Sequence, residues 1–252
     1  MTNAVSIAAA TFAGLLLAVL LGMLFRRHIP EDRLDSDKKD SVKMAMGLIA
    51  TMSALLLGLL VSSAKGTYDT CRKEVVQMAA KVAYLDRVLV LYGPDAAGAR
   101  VALRSGVQEV VNNIWPGSRD AEVRFSPEAG TGNSVYEPLQ DLAPQGDKQR
   151  ALKSQALSVA AGLGQSIALL RMQAIPSISL PMLSVVVSWL FIIFFSFTFI
   201  SPPGRTVTTA LIASAFSVSG AVFLILELDN PFRGLIGLSS EPMLDALRHL
   251  AK

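Results

Sequence analysis

Glu227 and Asp229 close the apolar run "ALIASAFSVSGAVFLILELDN", and Asn230-Pro231-Phe232-Arg233-Gly234 follows at once. A carboxylate at the edge of hydrocarbon is costly, so it sits in the protein interior or in a wet cavity. Two carboxylates could do acid–base work, yet no other reactive groups join them. His28 and His249 are the only histidines, far apart in sequence and each beside an arginine. They form no Ser/His/Asp grouping and no histidine metal site. Cys71 is the only cysteine, which excludes an intrachain disulfide and a cysteine-rich metal centre. No glycine-rich phosphate loop occurs, and Gly93-Pro94 and "GTGNS" read as turns. The sequence therefore points away from an enzyme, with no catalytic residue, no cofactor and no metal expected. The simplest role for Glu227 and Asp229 is a helix end that has reached water.

The elements that must carry these residues are apolar. The chain is 52% hydrophobic and 17% charged, with a mean hydropathy of +0.46. Its net charge of +3 comes from scattered basic residues, which leave no nucleic-acid footprint. A bilayer span needs about 20 mostly apolar residues. Four stretches qualify: Ala4–Phe25, Met44–Ala64, Leu180–Ile200 and Val207–Leu226. The first lacks a basic leader and meets Arg26-Arg27-His28 where a cleavage site would stand, so it reads as a retained helix. The spans divide into two hairpins, one closed by the charged loop 26–43 and one by "SPPGR", Ser201–Arg205.

Between the hairpins lies a polar segment that reads as helical throughout. Val75, Met78, Ala79, Val82, Leu85 and Leu89 recur at three- and four-residue steps. Gly93-Pro94 ends that helix, and Asp95 is placed to cap the next, through Val101, Val107, Val110, Val111 and Ile114. Residues 117–147 are rich in turn formers, and a third helix runs over about 147–174. Only Gly66 separates the second span from the first of these helices, which suits one unbroken helix. The expected organisation is a first hairpin at 1–65, a helical soluble domain at 66–179, a second hairpin at 180–228 and a carboxyl tail at 229–252. The fold class is an all-α membrane protein with a helical domain inserted between the second and third spans.

Two spans carry stripes of small residues. On the second, Gly47, Thr51, Ala54, Gly58, Ser62, Lys65 and Asp69 share a face, with Leu55, Leu57 and Leu60 on other sides. On the fourth, Ala210, Ala213, Ser217 and Gly220 do the same. Such stripes let helix backbones approach closely. They also suit a pore wall, where hydroxyls and exposed backbone replace part of an ion's hydration. The third span, with Trp189 and five phenylalanines from Phe191 to Phe199, is expected to face lipid around much of its girth. Six basic residues in the first loop plus Arg205 stand against eight beside the central domain and in the tail, so charge assigns neither orientation.

Two blocks carry a resemblance. "IPEDRLDSDKKDSVKMAMGLIATMSALLLGLLVSSAKGTYD", Ile29–Asp69, resembles the opening of a bacterial bestrophin-like membrane family, and "LELDNPFRGLIGLSSEPMLDAL", Leu226–Leu247, resembles its ending. More distantly the chain is similar to bestrophins, which are pentameric anion channels with four membrane helices per subunit. The resemblance implies a bacterial inner-membrane location, a homo-oligomer in the lipid bilayer, and small anions passing along the second helix. Gly47, Thr51, Ala54, Gly58, Ser62 and Lys65 would then line the pore. Glu227, Asp229, Asn230, Pro231, Phe232 and Gly234 would form the junction where the last membrane helix enters the soluble part. Animal bestrophins follow that turn with an acidic calcium-binding run, whereas "LIGLSSEPM" offers only Glu241. The second span also lacks the aromatic residues that often narrow bestrophin pores. The alternative is a non-conducting membrane scaffold or sensor whose helical domain binds a partner protein.

Overall fold

The structure is a computed structural model that describes residues 4–27, 36–115, 131–173, 178, 180–200, 204–232 and 234–250. His28, most of the first charged loop, the turn Ser201–Pro203, the segment 116–130 and Arg233 lie outside the described residues. Every regular element among the described residues is helical. The helices are α1 (Ala4–Arg27), α2 (Ser36–Tyr92), α3 (Ala97–Ile114), α4 (Thr131–Gln140), α5 (Asp147–Gln173), α6 (Leu180–Ile200), α7 (Arg205–Leu228) and α8 (Glu241–His249). Four of them, α1, α2, α6 and α7, are long and apolar enough to cross a membrane. The second span continues out of its apolar stretch as one unbroken helix of 57 residues.

The chain divides into two compact units. The first comprises Met1–Gly66 and Ser177–Asp229, the second Thr67–Pro176 and Asn230–Lys252. In the first, α1 packs against both α6 and α7. Leu15, Ala18 and Val19 of α1 join Leu60 and Ala64 of α2, Val186 and Phe194 of α6, and Val222 and Ile225 of α7 in one buried cluster. Phe12 meets Phe216 edge-on, with ring centroids 6.2 Å apart. The closest approach is at Gly22, where a Cβ would stand 2.8 Å from both the Phe195 carbonyl oxygen and Thr198 Cβ. Both contacts lie near the carboxyl ends of their helices, so α1 and α6 run in the same direction. The apolar stretch of α6 is 33% buried, the largest share of the four spans, which leaves most of its girth open as expected. The glycine that admits its packed side lies on α1.

In the second unit the core forms on the expected faces. Val75, Met78, Ala79, Val82, Leu85 and Leu89 of α2 are all buried with Leu103, Val107 and Val110 of α3 and Ala160, Leu163 and Leu170 of α5. Val101 is the exception, 70% exposed on the far side of α3. Asp95 does not cap α3. It sits in a short 3₁₀ turn, Pro94–Ala96, and Ala96 takes the cap position without a side-chain hydrogen bond. Charged side chains tie the helices: Arg100 donates to Asp86 at 2.6 Å, and Lys153 donates at 2.7 Å to the carbonyls of Gln140 and of Leu142, where α4 ends. Lys81 of α2 donates to the Gly162 carbonyl and the Ser166 hydroxyl of α5. Residues beyond Ser240 are part of this core. Met243, Ala246, Leu247 and Leu250, on α8 and just after it, are buried in it. Burial pushes the Cys71 thiol up to about 11, against an opposing backbone hydrogen bond and with help from Glu74. It stays protonated at neutral pH and is a poor nucleophile.

The tight contact at Gly22 makes a prediction. Gly22→Leu forces α1 off α6 and should cost about 1–3 kcal/mol of stability, an overpacking penalty. Gly22→Ala, smaller but still blocked by backbone, should also lower the thermal midpoint in detergent. An unchanged midpoint for both variants would remove the close α1–α6 approach.

Candidate functional site

The stripe on α2 is open. Gly47, Thr51, Ala54, Gly58, Ser62 and Lys65 are all exposed. A Cβ added at Gly47 or Gly58 would meet nothing within 4 Å. Within one copy of the chain, then, the stripe is not the close-packing surface that small residues can serve. The packed side of α2 lies elsewhere on its circumference, through Met46, Ser53 and Leu60 at seven-residue steps, and Ala64. Between these sides is a bulkier exposed sector with Met44, Leu48, Leu55 and Leu59, the third of them 75% exposed. Only 17% of the apolar stretch of α2 is buried, the least of the four spans. The stripe on α7 is open too: Ala210, Ala213, Ser217 and Gly220 are exposed, while Ala215, Ser219 and Val222 face the core.

The helix-end residues divide between the two units. Glu227 and Asp229 belong to the first and are buried, at 5% and 2% exposure. They do not stand in open water at the end of α7. The Asp229 carboxylate accepts the backbone N–H of Ile178 at 3.2 Å. Ile178 lies just before the first residues of α6, where backbone donors have no partner inside the helix. A carboxylate there also meets the positive end of the helix dipole. Asp229 thus joins the carboxyl end of α7 to the entry of α6, and its own N–H still donates to Ile225 in the last helical turn. An uncharged apolar residue could supply neither the acceptor nor the charge.

Asn230, Pro231, Phe232 and Gly234 belong to the second unit. They open a closed loop rather than a simple turn, because the Leu238 N–H donates back to the Pro231 carbonyl at 2.7 Å. Trp115 holds the loop from outside. Its indole N–H donates to the Leu238 carbonyl at 2.7 Å, and its ring meets Phe232 edge-on at 5.9 Å. Sequence reasoning missed both Trp115 and Ile178. Trp115 had one signal, an aromatic with a polar handle at the last turn before Pro116-Gly117. Ile178 had none, since any residue can donate its backbone N–H. Among the described residues no group of His, Cys, Asp or Glu could hold a metal ion.

What this arrangement can do is structural at one place and open at the other. The Asp229 end fastens helices, while the α2 stripe is a lengthwise face of glycine, alanine and hydroxyl residues left exposed among the described residues. A bestrophin-like domain family matches residues 3–243. No curated protein matches the sequence. Among solved structures, a point mutant of a bacterial bestrophin homologue from Klebsiella pneumoniae superposes with a TM-score of 0.62 at 17% identity, over 94% of this chain and 96% of that one. At that identity the match speaks for the fold.

The Asp229 contact is testable by a pair of substitutions. Asp229→Ala leaves the Ile178 N–H without its acceptor and should cost about 1.5–3 kcal/mol, the range for hydrogen bonds to charged groups. Asp229→Asn keeps an oxygen acceptor and should fall between Ala and wild type in thermal midpoint. If Ala matches wild type, Asp229 does not fasten α6.

Proposed function

The chain belongs to the bestrophin-like family, and on that premise we propose that it is an oligomeric ion channel passing small anions along the outward stripe of α2. The observation that carries this reading is the contrast on α2 between a packed side and an open side of small and polar residues. A lipid-facing surface favours bulky apolar side chains, which a stripe of glycine, alanine and small hydroxyl residues does not offer. The stripe has Thr51, Ser62 and Lys65 among glycine and alanine, and the adjoining sector has the leucines and methionines. Copies arranged around an axis would turn the stripe inward and leave the bulky sector for lipid or a neighbouring copy. A ring of five is the arrangement implied by the resemblance to bestrophins.

In this reading Gly47, Thr51, Ala54, Gly58 and Ser62 line the path, and Lys65 stands at one mouth. Side chains such as Leu55, beside the stripe, supply an apolar constriction that closes by excluding water. The protein sits in the bacterial inner membrane as two hairpins, with the helical domain inserted between them. Glu227, Asp229 and the closed loop after them serve as structural fastenings rather than as an ion-binding site. A non-conducting scaffold is the second reading, favoured by the exposed apolar side chains Val101 and Met172 on the second unit, at 70% and 71%.

Native mass spectrometry of the detergent-solubilised protein should show a complex of about five copies, as closed cyclic symmetry and the family resemblance imply. A cysteine placed at Ala54 or Gly58, with Cys71→Ser as background, should cross-link between copies into a ladder. A stable monomer without such a ladder would leave no central axis and favour the scaffold.

A further inference from the structure

Beyond Gly66, α2 belongs to the second unit. In that stretch its exposed charged residues are Arg72, Lys73 and Arg87, all cations. Its carboxylates Asp69, Glu74 and Asp86 are each drawn partly inside, and Asp86 is bound to Arg100. Among the described residues Arg72, Lys73 and Arg87 make no ion pair, whereas Lys81, Arg100 and Lys153 are engaged with acceptors of their own unit. Helical spacing carries the line of Gly58, Ser62 and Lys65 along α2 through Asp69, Arg72, Val76, Ala80, Ala83 and Arg87, at steps of three and four residues. Lys73 stands at the edge of that line. Asp69, Arg72, Lys73, Val76 and Gln77 border an open depression of about 410 Å³.

We infer that this stretch of α2 is the wall of a cationic vestibule, in which Arg72, Lys73 and Arg87 set the preference for small anions over cations. The inference rests on the proposed pore along α2 and adds the residues that decide the sign of the ion. Their role follows from long-range charge rather than from contact. Like charges repeated around an axis sum to a potential that raises the local concentration of the opposite ion. Val76, Ala80 and Ala83 between them are too small to obstruct the path, and Asp69 is the one carboxylate on this face, set against Lys65, Arg72 and Arg87 on it and Lys73 at its edge. No tight anion site is required, and a weak one suits conduction, because an ion held firmly would not leave.

Two measurements on the full-length protein in liposomes test this and separate it from the channel reading. The first is the reversal potential and chloride flux of wild type and of Arg72→Gln/Lys73→Gln/Arg87→Gln. The second places a cysteine at Val76 or Ala80, with Cys71→Ser as background, and compares labelling by anionic and cationic thiosulfonate reagents of equal size. This readout needs no open pore. At about 0.01 M salt, where the screening length is roughly 30 Å, the triple substitution should lower the anionic-to-cationic labelling ratio and the chloride flux about tenfold. At about 1 M salt, with roughly 3 Å screening, both differences should vanish. A conducting wild type whose ion preference and labelling ratio survive the triple substitution would overturn the vestibule and leave the channel standing. A monomeric wild type that carries no current would overturn both.

Discussion

A backbone N–H near hydrocarbon must find an acceptor, and the meeting of Ile178 with Asp229 shows how this chain supplies one. Helices satisfy their own interiors but leave donors at their first turn and acceptors at their last. In water these ends are solvated at little cost, whereas beside a bilayer each needs a partner from the protein. Asp229 meets that need with a carboxylate oxygen, held at 2% exposure where water competes little. Asp229 ties the entry of α6 to the carboxyl end of α7, and α1 packs against both helices. The aliphatic cluster around Leu15, Val186 and Ile225 holds the helices together without direction, while the polar contact and the glycine notch at Gly22 give them a register.

α2 answers a different demand. One side of it is core in both units, through Leu60 and Ala64 in the first and Met78, Leu85 and Leu89 in the second. Another side is largely exposed among the described residues and changes character along the way, from glycine and hydroxyl to alanine and cation. A single helix that is committed on one side and uncommitted on another is poorly used as a monomer. In the proposed oligomer each copy would contribute an identical strip to a common lumen.

Much of the architecture was legible in the sequence. The four spans stood out because runs of about 20 apolar residues have few other uses. The continuity of α2 was readable because Gly66 alone interrupts its pattern, and one glycine costs a long helix little. The core face of α2 followed from periodicity, and all six positions read from it are buried. What failed had physical causes. A cap depends on local backbone geometry that spacing does not encode, so Asp95 was misassigned. The amphipathic turns of α8 were passed over as tail, because nine residues with Met243, Ala246 and Leu247 on one side make a short signal. The small-residue stripe suited close packing before a pore wall, yet among the described residues a Cβ at Gly47 or Gly58 would meet nothing within 4 Å. The role of Ile178 lies in its main chain, which side-chain chemistry cannot announce.

The place of α8 bears on how the protein is made. The core of the second unit draws its last members, Met243, Ala246, Leu247 and Leu250, from beyond α7, so synthesis of that unit is interrupted by two membrane spans. A ribosome would finish α2 to α5 long before the chain that closes their core emerged. During that interval α3, against which α8 packs, keeps apolar surface bare, and synthesis of α6 and α7 must precede its covering. The second unit therefore closes last, and only on chains whose final two long apolar helices have already been made.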